Sequence, residues 1–175
     1  TSADVFPEAV ALVLRLRAEF GLSPSEVPLR LITNGSLMGQ VRVQEGVRLL
    51  GEAGGEVWFK VDGGTAEAIE RINGVRLEPE SVARNLARCA QLCPTWVQTC
   101  MFRWDGEAPS TVELDAYLEV LEAAGIDALQ GVLLYGIARQ SMQPEAVRLA
   151  PLSGDELESI AAYMRKKGLT VRVSP

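Results

Sequence analysis

The chain contains no histidine. A Ser-His-Asp triad, a Cys-His pair and any Cys2His2 or His-rich metal site are therefore excluded within it. Cysteine is scarce, with three in 175 residues. That number is too small and odd for a disulfide scaffold, and a reducing cytoplasm is the expected compartment. No run of ~18 uncharged apolar residues offers a membrane span. No basic n-region followed by an apolar h-region marks a signal peptide. Thr1 is not a methionine, so the chain reads either as one whose initiator was removed or as a piece of something longer. Basic residues are outnumbered, 17 against 23 acidic, for a net charge of −6. A sequence-independent nucleic-acid binder needs a basic face, and none is evident. What the chain does have is apolar content, 47%, enough for the core of a single domain over residues 1–175.

The apolar pattern alternates between helical and extended. Val5, Ala9, Val10, Leu12, Val13, Leu16 and Phe20 predict a first helix, with Asp4 as N-cap, Pro7 in its first turn and Gly21 at its end. Residues 29–32 read as a buried strand, 38–50 as a helix stopped by Gly54 and Gly55, and 57–61 as a second strand. Helices follow over about 65–72, ending at Asn73-Gly74, and about 79–92. Residues 96–102 form the third strand, 110–124 a helix stopped by Gly125, and 129–137 the fourth strand. Ser153 and Glu156 make a capping box for a helix to about Lys167. Val171 and Val173 suggest a short last strand. Such alternation predicts an α/β fold, a parallel β-sheet with flanking helices. The two long apolar strands are expected to be covered on both faces. Four strands and a weak fifth are too few for a closed eight-stranded barrel.

In such folds ligands bind at the carboxyl ends of strands. Here those ends carry Thr33-Asn34-Gly35-Ser36, then Lys60-Val61-Asp62-Gly63-Gly64-Thr65, then Arg103-Trp104-Asp105-Gly106, then Tyr135-Gly136-Ile137-Ala138-Arg139. Asn34, Asp62 and Arg139 are expected on one rim. Asn-Gly and Asp-Gly pairs are also ordinary turn chemistry. Lys60 and Asp62, two apart on a strand, share a face and make a natural ion pair. Gln98 and Gln130 are amides within apolar strands and need hydrogen-bond partners. Cys89, Cys93 and Cys100 are spaced C-x3-C-x6-C, with one helical pair and one strand residue. They read as packing residues rather than metal ligands, and Trp58, Trp96 and Trp104 likewise as packing.

Taken together, the strand-end runs resemble the radical S-adenosylmethionine (SAM) superfamily, closest to its small Fe-S oxidoreductase group. The resemblance rests on Leu31-Ile32-Thr33-Asn34-Gly35-Ser36 and on the run from Val57 to Thr65. It extends over Glu70-Arg71-Ile72-Asn73, Val97-Gln98-Thr99-Cys100-Met101-Phe102, Leu134-Tyr135-Gly136-Ile137-Ala138-Arg139 and Leu152-Ser153-Gly154-Asp155-Glu156-Leu157. These stretches cover nearly the whole chain in order. The resemblance implies part of a (β/α)6 partial TIM barrel and a SAM cofactor. It also implies a [4Fe–4S] cluster held by a C-x3-C-x2-C segment that this sequence lacks, as it lacks the Gly-Glu motif of the preceding strand. The chain then corresponds to the C-terminal portion of a parent enzyme, SAM-binding but inactive alone. By the same resemblance, Thr33 and Asn34 lie near the methionine moiety, and Lys60 and Asp62 near the ribose and carboxylate. Gln98 faces the barrel interior, and Tyr135, Ile137 and Arg139 flank the adenine. In the parent the reaction is reductive cleavage of SAM, with the cluster supplying the electron. The substrate is not legible.

Two other readings stand beside this one. One is a shortened paralogue acting as a non-catalytic binding or scaffold subunit. The other is an unrelated α/β enzyme with a carboxylate site at Asp62. An upstream C-x3-C-x2-C in the reading frame selects the parent enzyme, and a start codon just before Thr1 selects the paralogue. A barrel portion without its first strands exposes an apolar sheet edge and one face of the first helix, so a homodimer through that edge is expected.

Overall fold

The computed structural model describes residues 3–139, 142 and 144–174. A short 3-10 turn, Ala3–Val5, leads into α1 (Phe6–Glu19) and then β1 (Arg30–Thr33). There follow α2 (Val41–Glu52), β2 (Glu56–Lys60), α3 (Ala66–Asn73), α4 (Pro79–Leu92), β3 (Thr95–Cys100) and β4 (Phe102–Trp104). The chain continues with α5 (Thr111–Ala124), β5 (Gly131–Tyr135), β6 (Leu149–Pro151), α6 (Gly154–Arg165) and β7 (Val171–Ser174). The fold is α/β. Five parallel strands form one sheet in the order β1-β2-β3-β5-β7. β4 and β6 pair antiparallel on their own. Among the described residues no helix is long and apolar enough to cross a membrane.

Strand order follows chain order without reversal. Right-handed crossovers between such strands put every crossover helix on the same face of the sheet. Burial agrees. Val57, Phe59, Val61, Val97, Val132 and Leu134 point into the core with Leu86, Tyr117, Leu121, Leu157 and Met164. The alternate positions Trp58, Lys60, Gln98, Cys100, Leu133 and Tyr135 are only half-buried. The expectation of strands covered on both faces is corrected: one face carries the helices, and the other is open. On the open face Trp96 is shielded instead by Arg172, whose guanidinium lies 4.1 Å from its ring centroid.

Local chemistry sets the helix limits. Ser110 and Ser153 each accept from the N3 amide of their helix while Glu113 and Glu156 reach back, giving two capping boxes. Gly74, at φ 67, closes α3 in the left-handed region that favours glycine. Asp4 is not the cap of α1. The preceding 3-10 turn takes up its backbone, and Val5 occupies the N-cap with no side-chain bond. β1 is an edge strand rather than a buried one, with Ile32 56% exposed, because only β2 pairs with it. The expected strand 96–102 breaks at Met101. There the chain bonds Tyr135 through the Met101 N–H and then leaves the sheet to pair with β6. Gln130 lies before β5 rather than in it. It is exposed, and its N–H bonds Thr95 O.

Candidate functional site

Asn34, Asp62 and Arg139 each follow the carboxyl end of a strand. The three strands are parallel, so all three residues stand on one rim of the sheet. Asp62 is the most constrained of them, its side chain 2% exposed. One carboxylate oxygen lies 3.1 Å from Lys60 Nζ, and the other accepts the Cys100 N–H at 3.1 Å. The i, i+2 pair expected from sequence is therefore present, and a backbone donor completes it. A buried carboxylate is tolerable only when paired in this way. Beneath it, the Thr99 and Tyr117 hydroxyls share a buried 2.7 Å hydrogen bond. Burial holds the Tyr117 phenol above its ordinary range. Burial also pushes Tyr135 up to about 12, with smaller contributions from Cys100 and Asp62. Both phenols are therefore neutral hydrogen-bonding groups at physiological pH.

Lys60, Asp62, Tyr135, Ile137 and Arg139 line one cavity of about 470 Å³ at the strand ends. Thr33 and Asn34 line a separate cavity of about 230 Å³ with Phe6, Leu31 and Met38. Their side chains already serve the turn. Thr33 Oγ1 accepts from the Gly35 N–H at 3.0 Å, and Asn34 Oδ1 from the Ser36 N–H at 3.1 Å. Gln98 lines neither cavity. It sits on the open face of β3, in register with Lys60 and half-buried.

Arg71 and Trp104 were missed as site residues, and both line the 470 Å³ cavity. Trp104 is not a core residue. Its ring lies under two guanidiniums, Arg71 at 5.3 Å and Arg148 at 4.7 Å from the centroid. Arg148 also grips Asp105 through two hydrogen bonds, at 2.9 and 2.5 Å. Asp105 and Gly106 have φ of 52 and 86, and Trp104 bridges back to Glu107 across them. The Asp-Gly pair was the available signal, since this is the turn that folds a strand end back on itself.

The cysteines do not fit an iron–sulfur cluster. Cys89 and Cys93 belong to the core. The Thr95 hydroxyl donates to Cys93 O at 2.8 Å with the Cys89 sulfur 3.6 Å away, and the Cys93 thiol faces Gly55 O. Cys100 alternates with core positions on β3, on the open face. Among the described residues no three His, Cys, Asp or Glu side chains are grouped to hold a metal ion. Burial pushes Cys89 and Cys100 up to about 11 and Cys93 up to about 12. A raised pKa keeps the thiol protonated, so thiolate chemistry is suppressed until the pH approaches those values. For Cys100, the half-buried thiol, alkylation by iodoacetamide at pH 8 should run about a hundredfold slower than for a free cysteine, and accelerate up to about pH 11. Rapid labelling at pH 8 would show a thiol activated by something the geometry does not contain.

No protein-family model matches the sequence, and no curated protein matches it. Among solved structures, the chain is similar to a crystal structure of a domain of pyruvate-formate lyase-activating enzyme from Bacteroides vulgatus. The TM-score is 0.68 at 12% identity, over 100% of this chain and 95% of that one. The likeness establishes the fold. It extends over the whole length of this chain.

Proposed function

We propose that this chain is the SAM-binding portion of a radical SAM iron–sulfur enzyme, built as part of a (β/α)6 barrel and inactive without the segment that carries the cluster. The observation that carries the reading is the gathering of Lys60, Asp62, Tyr135, Ile137 and Arg139 around one strand-end cavity of about 470 Å³. The strand-end sequence resemblance and the fold likeness to the activating-enzyme domain support it. So does α1, which packs on α2 and stands where a right-handed crossover from a strand beside β1 would run. In the parent, preceding strands cover that edge. In the chain by itself, a second copy covers it.

The cavity fits the cofactor's mixed character. Lys60 and Asp62 offer a cation and a fixed carboxylate for the methionine carboxylate and the ribose hydroxyls. Tyr135 and Ile137 offer an apolar wall for adenine, and the backbone at residues 137–138, beyond the Gly136 N–H bond to Ser174 O, offers donors and acceptors to its edge. Arg139 closes the exposed side. Thr33 and Asn34 line the separate cavity and are assigned to the methionine end by the sequence resemblance alone. SAM, when bound, supplies a cleavable carbon–sulfur bond. These residues bind and orient it. Asp62 keeps its place because the Cys100 N–H holds it, whatever Lys60 does. The cluster belongs to the parent.

Equilibrium dialysis against S-adenosylhomocysteine tests the reading. One site per chain is expected, weakened about tenfold or more in Lys60→Ala, a loss of ~1.4 kcal/mol or more. No saturable binding, or equal binding by the variant, contradicts it.

A further inference from the structure

A third cavity, of about 310 Å³, adjoins the 470 Å³ one. It lies between the loop entering α3, the first turns of α5 and the β4 turn. Asp62, Arg71, Cys100 and Trp104 line both cavities. We propose that this smaller cavity seats the substrate, and that the group it takes is an apolar ring bearing a cationic amine. The inference rests on the cofactor reading above. A substrate that reacts with a cofactor must touch it, and this is the cavity that shares a wall with the cofactor's.

The class of ligand follows from the lining. The interior is apolar: Ala68, Met101, Leu114 and Tyr117 are all buried. Such a floor favours a ring over a polar chain, and the volume is at the lower end of the range for small-molecule sites. The charges around it are largely spent on one another. Asp62 is taken up by Lys60, the Cys100 N–H and, on the cofactor reading, the ribose; Asp105 pairs with Arg148, and Arg71 with Glu113 at 2.9 Å. Glu113 is further held by the Ser110 cap. Glu107 is different. It lines the cavity, is exposed, and has no side-chain hydrogen bond or ion pair among the described residues. An unpaired carboxylate at the mouth of an apolar cavity selects a cation. Both guanidiniums over Trp104 are already matched by carboxylates, so neither offers an anion a free partner.

Three probes share one ring and differ only in charge: tryptamine, tryptophol and indole-3-acetate. In methyl-detected NMR, tryptamine is expected to shift Ala68, Met101 and Leu114. It should bind about tenfold more tightly than indole-3-acetate, with tryptophol between them. Glu107→Gln should bring the three within about twofold. Ala68→Leu should abolish probe binding without altering S-adenosylhomocysteine dialysis, and Ala108→Phe fills the same cavity if Ala68→Leu does not fold. Equal affinities for the three probes, or binding that survives both fillings, overturns the assignment while leaving the cofactor reading intact. If the tryptamine series holds and S-adenosylhomocysteine does not bind, the substrate role falls together with the cofactor reading.

Discussion

Gly64→Ala is expected to destabilise the fold strongly. A Cβ at Gly64 would lie 2.1 Å from the carbonyl carbon of Ala116 and from the Tyr117 nitrogen, and 2.3 Å from Ala116 O. These are backbone atoms of α5, not the movable tip of a side chain. The loop entering α3 and the body of α5 therefore touch with no room for a side chain, and α5 must move off to admit one. Tyr117, Leu118 and Leu121, all fully buried, would move with it. The expected cost is at least about 3 kcal/mol, the upper range for overpacking, because rigid backbone absorbs it. Gly154→Ala is the control. Nothing lies within 4 Å of its added Cβ, and a first-turn helical position accepts alanine within about 0.5 kcal/mol. Urea unfolding of both variants checks the pair. A Gly64→Ala protein as stable as the control would mean that the packing of α5 on the site loop is not as close as described.

The isolated chain is expected to double in mass as its concentration rises. Val5, Leu12, Val13, Leu16, Phe20, Ile32 and Leu37 are all exposed, and all fall on α1, β1 or the segments beside them. Phe20 is 76% exposed. Exposed apolar surface gathered like this marks an interaction site. β1 adds an unpaired row of backbone donors and acceptors, and residues 31–33 carry none of the charges, prolines or bulges that usually guard an edge. Two copies of β1 can pair antiparallel about Ile32. Ile32 then meets its own copy and Leu31 faces Thr33, with no like charges opposed. Sedimentation equilibrium should show a monomer–dimer equilibrium, and the double variant Leu16→Lys, Ile32→Lys should remain monomeric. A monomer at all concentrations for the unaltered chain would leave the free edge without the role given to it.

Much of this architecture is legible in the sequence, and what is not has a physical reason. Helix limits are local chemistry. Pro79 and the Ser153–Glu156 box mark two of them, and α4 spans the expected residues while α6 stops two short of Lys167. The Lys60–Asp62 pair is equally local, since two residues apart on a strand means one face. Tertiary choices are not local. Nothing in the run 96–102 says that Met101 is the last residue to bond across to β5, yet the antiparallel pair of β4 with β6 depends on it. Burial on one face only could not be read from apolar runs, because a half-open face also bears Trp, Leu and Tyr. Arg71 and Trp104 escaped for the same reason. They come from α3 and β4, and only the fold-back at Asp105-Gly106 brings the indole under the guanidinium.

Chemical-shift mapping places the cofactor directly. In a titration of the labelled chain with S-adenosylhomocysteine, the largest amide changes are predicted at residues 60–62, 98–100 and 135–139, around the carboxyl ends of β2, β3 and β5. Arg30, Glu56 and Thr95, at the opposite ends of the strands, should stay unchanged. Shifts gathered at those opposite ends, or on the helical face away from the rim, would contradict the assignment of the strand-end cavity as the SAM site.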